Sequence, residues 1–542
     1  MNSVPGYTAS GGGLPALADL PAYAGYYADR RPARPAMGAD DQRLDYAAVR
    51  ERTLAYSAAL RRLGLGHGCV VAVFGHPRPE CLLVFLACCA TGAVFLGLNP
   101  KYTSRELALV CADANPRALF VMTGPQDEEQ AAKVTELSEA VSSLRHVVLR
   151  VPVGGLNGVR LDDLTAEPGP RPGPHPDPGS PCALVYTSGS TGLPKGALLS
   201  QAGLLRSAML TWNYWYGRLP GIRAAAQHPI NHVAWLTCEC LTPMIAGGAI
   251  FFRERFDGPG TLELIERERL NLWFTFPSMA ALVISSDAFP AADISSLQRI
   301  AFGSSPSLEI MKTLRSRTDA VLSTSYGLTE ASGGAVTATA DTDGFELVAS
   351  SVGRVVPGVE VKVVDHSGRE VPAAEPGELL VRDSCVFAGY LDRAADTDAS
   401  VDQDGWLHTG DIVTRDTSGV VRLVGREREM FKSGGYNVYP AEVEQVLCRY
   451  PGVTAAAVVG VPDPLWGQAG VGFVVAPGPA ALDLAALDAF LRQRLANYKI
   501  PKRFEFRAVL PQLENGKVNK NALRAEATSA MTVRTSARRE AP

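Results

Sequence analysis

The residues best suited to chemistry stand in one run, Tyr186-Thr-Ser-Gly-Ser-Thr-Gly-Leu-Pro-Lys195-Gly. An apolar strand pattern, Cys182-Ala-Leu-Val-Tyr186, leads into it. The glycines Gly189 and Gly192 would let backbone N–H groups approach an anion closely. The hydroxyls of Thr187, Ser188, Ser190 and Thr191, and the ammonium of Lys195, add donors. Such a loop suits a polyphosphate. Its spacing departs from the Walker A pattern, and no Gly-x-Ser-x-Gly elbow of a hydrolase occurs. On composition alone a plain surface turn stays open beside a phosphate cradle.

Further segments follow in order: Gly303-Ser304-Ser305-Pro306, then Ser325-Tyr326-Gly327-Leu-Thr329-Glu330, then Gly405-Trp-Leu-His-Thr-Gly-Asp411. After them come Gly425-Arg426, the stretch Lys432-Ser433-Gly434-Gly435-Tyr-Asn-Val-Tyr-Pro-Ala-Glu-Val-Glu444, and Asn515-Gly-Lys517. Together these resemble the motifs of the adenylate-forming superfamily. That group holds the acyl- and aryl-CoA ligases, peptide-synthetase adenylation domains and luciferases. The resemblance spans roughly residues 15–525 and is nearest in motif to an acyl/aryl-CoA ligase.

The resemblance implies ATP- and Mg²⁺-dependent attack of a carboxylate on the α-phosphorus, with loss of pyrophosphate, then transfer of the acyl group to the thiol of CoA. Both reactants are anions, so the site must supply cations and fixed donors. Lys517 is implied to bridge carboxylate and α-phosphate, and Glu330 to hold Mg²⁺. Thr187 to Gly192 and Lys195 would cradle phosphates. Gly303 to Pro306, Tyr326, Gly327 and Thr329 would hold adenine. Asp411 and Arg426 would hold the ribose, since an ionised carboxylate accepts from both hydroxyls. Ser433, Gly434 and Gly435 would leave room for a pantetheine arm, after a rotation about a hinge at Arg428. Most relatives carry Asp or Lys at that hinge. Taken singly, each residue has a plainer reading: a capping Glu330, a core Tyr326, a turn Asp411, a solvated Lys517.

Acid choice is expected along His228-Pro-Ile-Asn-His232-Val233-Ala234-Trp235, which resembles the family's Pro-x-x-His-x-x-Gly. His232 then stands at a gate between acid pocket and thiol tunnel. Trp235 replaces a small residue; it either shortens the pocket or packs inward. Glu239 falls on the same helical face and could meet a polar substituent or orient His232, or it has a local partner. Ser325, Ser332 and Gly333, with Gly334, leave space near the carboxylate. These residues suggest a compact, aromatic or polar-substituted acid rather than a long fatty acid. Alternatives are loading of a carrier protein, or adenylate chemistry with a non-thiol acceptor or an unusual acid.

Composition excludes other classes. A net charge of −4 marks no nucleic-acid surface, and 46% hydrophobic with 20% charged residues is ordinary for a globular chain. No secretory leader opens the sequence. The ten cysteines, without a Cys-x-x-Cys pair, suggest reduced thiols in a cytoplasmic protein. A monomer and a homodimer are equally open.

Positioning these groups falls to an α/β fold. Helix patterns over 44–65, 78–91 and 104–114 alternate with strands over 70–74, 93–98 and 118–122, which predicts a parallel sheet. The apolar run 81–98 reads as a buried helix and strand broken at Gly92, not a membrane span. Prolines over 168–181 mark a connector. Short β segments over 352–424 suggest a small barrel or antiparallel layer. An α+β unit follows, with helices over 441–448 and 484–495 and strands over 455–461 and 503–509. The resemblance implies a large N-terminal domain of two α/β sheets plus a small β-barrel over 1–427. It implies a small mobile α+β C-terminal domain over 428–525 that carries the catalytic lysine. Residues 526–542 lack periodicity and are expected to be disordered.

Overall fold

The computed structural model describes residues 13–124, 127–153, 156–166, 176–187, 194–434, 436–476, 483–513 and 517–539. Ser188, Gly189, Ser190, Thr191, Gly192 and Gly435 lie outside them, as do most of the proline-rich connector and the turn just before Lys517.

Two sheets share one core. In the first, the parallel strands Val94–Leu98, Val70–Phe74, Ala118–Val121 and His146–Leu149 lie side by side. Pro181–Thr187 joins them parallel to Val94–Leu98, and Lys195–Ser200 folds back antiparallel on it. The second sheet has nine strands. Its parallel centre is Val321–Tyr326, Arg299–Phe302, Leu272–Thr275, Arg223–Ala226 and Ala249–Phe252. Helix Pro79–Thr91 touches strands of both sheets, and its residues from Pro79 through Cys89 are buried. Being enclosed on all sides, it needs no polar face. Gly92 ends it at φ 78°, a left-handed cap that glycine adopts without strain. The fully buried strand Val94–Leu98 follows. The apolar run is therefore helix plus strand, and among the described residues no helix is long and apolar enough to cross a membrane.

The small β unit is a four-stranded antiparallel sheet: Glu360–Val364, Gly377–Arg382, Leu407–Arg415 and Val421–Arg426. The short turn Glu427–Glu429 links it to a carboxy-terminal unit. There, Phe431–Ser433, Gly467–Val475, Ala455–Asp463 and Arg503–Arg507 form a sheet with its own core. Val458, Val474, Leu487 and Leu491 pack on one face; Val459, Phe473, Leu523 and Ala527 pack on the other.

Local forces moved several boundaries. Residues 42–45 pair as a strand with Pro35–Ala39, and the Asp45 side chain caps helix Tyr46–Arg62 at Ala48 N–H. Helix Ser104–Ala114 is entered by Thr103, which forms a reciprocal capping box with Glu106. Within the tail expected to be disordered, residues 526–539 continue the helix Lys520–Arg539, in which Leu523 and Ala527 are fully buried, and residues 540–542 lie outside the described residues. Two apolar contacts per few turns suffice to seat it, and so weak a stripe is hard to see in an Ala/Ser/Thr/Arg sequence.

Candidate active site

The nucleotide motifs converge where the second sheet meets the small β sheet. Val321–Tyr326 ends at the edge of the parallel core, and Asp411 faces Arg426 across adjacent antiparallel strands. Tyr326 Oη donates to Asp411 Oδ2 at 2.6 Å, and Arg426 Nε donates to Asp411 Oδ1 at 2.9 Å. Asp411 is buried. Burial, then the charge of Asp411, pushes the Tyr326 phenol well above its usual range, so it remains a donor. Asp411 likewise strengthens the hold of Arg426 on its proton. Each carboxylate oxygen keeps further lone-pair capacity for ligand hydroxyls.

Gly303 follows strand Arg299–Phe302, its N–H bonded to Thr275 O. A Cβ there would come within 2.5 Å of the Phe276 ring, so the turn hugs that ring closely. Ser304 is exposed, Ser305 Oγ donates to Ser351 O at 2.7 Å, and Pro306 is buried. Gly327 lies even closer to its neighbour, the Gly334 carbonyl, and Thr329 begins a short 3₁₀ turn that carries Glu330. Tyr390 Oη donates to Glu330 Oε1 at 2.8 Å. Thr187 and Lys195 pair across the mouth of the phosphate-loop hairpin. Lys195 Nζ sits 2.5 Å from Asp396 Oδ1.

Lys517 comes from the carboxy-terminal unit into the same place. Crowding by protein atoms, then the charge of Arg426, pulls its ammonium down to about 8, while Asp411 and Glu330 work the other way. The residue still has an accessible face, as a group at the mouth of a cleft does. His232 is near it: burial, then Lys517, then His228 keep its imidazole well below the usual range. Its Nδ1 accepts the Ala234 N–H at 3.2 Å, so in the neutral ring Nε2 carries the proton.

Several expected pocket residues are committed elsewhere. Trp235 has no exposed surface and stacks on Phe95, with centroids 6.3 Å apart. Of its two readings, inward packing is the one realised. Glu239 has a local partner: its Oε1 lies 2.7 Å from His228 Nδ1, and its Oε2 accepts the N–H groups of Gln227 and His228 at 3.0 Å each. Both its oxygens are taken, so it does not orient His232. The expected shared face assumed an α-helix, but Trp235–Leu241 is a π-helical stretch, whose wider turn rotates position 239 away. Ser325 Oγ donates to Thr337 O and Ser332 Oγ to Cys385 O, each at 2.7 Å, so both hydroxyls serve the scaffold. Val233 and Ala234 are buried, and Gly333, at φ 73°, packs against Val233. Ser433 is buried, while Gly434, at φ 59°, lies against the Trp466 ring. Arg428 is exposed in the linking turn; crowding by nearby protein atoms, then the charge of Arg426, lowers its hold on a proton.

Four residues that meet the site were not singled out from the sequence: Tyr390, Asp396, Phe276 and His228. The first three stand in ordinary contexts, and their importance arises only when distant strands meet. His228 was visible at the head of a quoted motif.

Residues 26–391 match the AMP-binding enzyme family, and residues 442–517 match the AMP-binding enzyme C-terminal domain. A feruloyl-CoA synthase of an Amycolatopsis species is 36% identical over 489 residues, covering 89% of this chain and 93% of the relative. An indoleacetate–CoA ligase of Aromatoleum aromaticum is 32% identical, covering 92% and 96%. The solved structure of an anthranilate CoA ligase in complex with anthranoyl-AMP superposes with a TM-score of 0.86 at 24% identity, covering 96% of this chain and 99% of that one. At that identity it supports the fold alone.

Proposed function

The chain belongs to the AMP-binding enzyme family, and we propose that it activates a compact aromatic acid and passes it to CoA. The reaction is ATP-dependent formation of an acyl adenylate followed by acyl transfer to a thiol. One observation carries the choice of acid. Between the adenine turn and Lys517 stands a cluster of planar rings: His228, His232, Phe274 and Phe276, with centroid separations of 5.0–6.4 Å. At its partly exposed member, His232, such a cluster could offer ring edges and faces to a flat ligand. The aromatic acids named for the two curated relatives agree with that reading.

The residues divide the work as follows. Asp411 and Arg426 hold the ribose, and Tyr326 with the Gly303 turn holds adenine. Thr187, Lys195 and the loop between them hold the phosphates. Glu330 supplies an oxygen to Mg²⁺, which would neutralise phosphate charge when bound. Mg²⁺ takes one or two carboxylates and completes its shell with phosphates and water, so a single carboxylate suffices. Lys517 neutralises charge between carboxylate and α-phosphate as they approach, and donors fixed beforehand make that stabilisation effective. His232, close to Lys517, would offer its Nε2–H to the same centre. In the second step a CoA thiol displaces AMP; the choice of CoA over a carrier protein rests on the same relatives.

The test is a panel of acids, assayed by pyrophosphate release and, with CoA added, by thioester formation. Aromatic acids should give the highest kcat/KM and a CoA thioester. A lead for C12–C16 fatty acids would sink the aromatic reading. Adenylation without a CoA thioester would sink the choice of acceptor.

A further inference from the structure

His228 follows strand Arg223–Ala226, and its side chain is 1% exposed. Its Nδ1 is bonded to Glu239, whose two oxygens together take three hydrogen bonds. A carboxylate only accepts, so Nδ1 must carry the proton, and in the neutral ring Nε2 presents a lone pair. That Nε2 is buried with no partner.

Buried polar atoms are seldom left unpaired, and each that is calls for a reason. Capping the strand end explains Glu239 and Nδ1, and ring packing explains the carbons. Neither explains Nε2. The surroundings supply a reason. The His228 ring lies 5.0 Å from Phe274, 5.2 Å from Phe276 and 6.4 Å from His232. Phe276 abuts the Gly303 turn. His232 is the partly exposed member of the cluster and the one nearest the lysine's field. His228 is thus the ring next inward from the partly exposed His232.

We propose that His228, oriented by Glu239, selects the acid: its Nε2 accepts a hydrogen bond from an O–H or N–H on the acid's ring. The proposal rests on the aromatic-acid reading above and adds to it the polarity of the substituent. A site built to pair a substrate donor rejects the analogue that lacks it more strongly than an apolar pocket rejects a methyl group. Glu239 acts as a positioning residue, since it fixes which nitrogen faces the ligand.

The probes are the ortho-, meta- and para-hydroxy forms of cinnamic and benzoic acids, each with its O-methyl ether. The readout is kcat/KM by pyrophosphate release. In the unaltered enzyme at least one hydroxy acid should exceed its ether by about tenfold or more. His228→Asn keeps an N–H for Glu239 and has no atom at the Nε2 position. In it that preference should shrink to about twofold or less. Aromatic acids turned over without any hydroxy preference would overturn the proposal while leaving the aromatic reading intact. So would a preference that survives in His228→Asn. Turnover of no aromatic acid would overturn both. The first comparison uses the unaltered enzyme, so it decides even if the variant does not fold.

Discussion

Lys517 can bridge two anions only while it is charged. Its ammonium is held at about 8, below the ordinary lysine range, mainly by crowding and by Arg426. The protonated form is complete below that value and is lost as pH rises through it. Because kcat/KM reports the free enzyme, kcat/KM for ATP in pyrophosphate exchange should fall above about pH 8. Lys517→Arg should move that fall to higher pH, because guanidinium keeps its charge. Lys517→Ala should lower exchange by about a hundredfold or more. A profile that stays flat well past 8, or an alanine variant with near-normal exchange, would remove the lysine from this role. At this scale the sequence made the charged residues legible, because Asp411, Arg426, Glu330 and Lys517 sit in distinctive strings. It did not make their partners legible. Tyr390 and Asp396 bond Glu330 and Lys195 across 60 and 201 residues of chain, and no local pattern records that.

The turn after strand Val321–Tyr326 is where an element depends on the absence of a side chain. A Cβ on Gly327 would lie 2.0 Å from the Gly334 carbonyl oxygen. That obstacle is backbone, which cannot swing aside as a flexible side chain can. Gly327→Ala must therefore displace the segment that carries Thr329 and Glu330. The expected outcome is a loss of about 1–3 kcal/mol in stability, read as a lower melting temperature, with a raised KM for ATP. Unchanged melting and KM would mean that the turn has more room than its geometry implies. Elements with strong local signals were legible to within a residue or two: 104–114 through its cap, and 79–98 through its apolar run and Gly92. Those decided by tertiary contact were not. The π-helical stretch Trp235–Leu241 looks helical in sequence, and its extra turn width sends Glu239 to His228 rather than to a pocket.

Across the whole molecule the question is which unit faces the nucleotide. As arranged here, the carboxy-terminal unit presents Lys517 to Asp411 and Glu330, while Gly434 lies against Trp466 within its own unit. Near the linking turn the two units meet directly. Gln445 Nε2 donates to Leu423 O at 2.8 Å, and Tyr439 packs on Gly425. Lys520 ties the carboxy-terminal unit to the linking turn at Glu429, 2.8 Å away, and bonds Glu444 of its own unit at 2.9 Å. That pattern suits a unit that turns as one body about Glu427–Glu429, and Arg428 is the exposed residue at its centre. Presenting the Ser433–Gly434 strand end to the acyl adenylate would require that rotation. Proline fixes φ near −65° and so stiffens a pivot. Arg428→Pro should therefore leave pyrophosphate exchange within about threefold of normal, and lower CoA thioester formation on the order of tenfold or more. Both are measured on one preparation, so a misfolded variant is recognised by loss of exchange. Equal loss of the two half-reactions would argue against a pivot at this residue. Full retention of both would mean that the thiol reaches the adenylate with the carboxy-terminal unit as it stands.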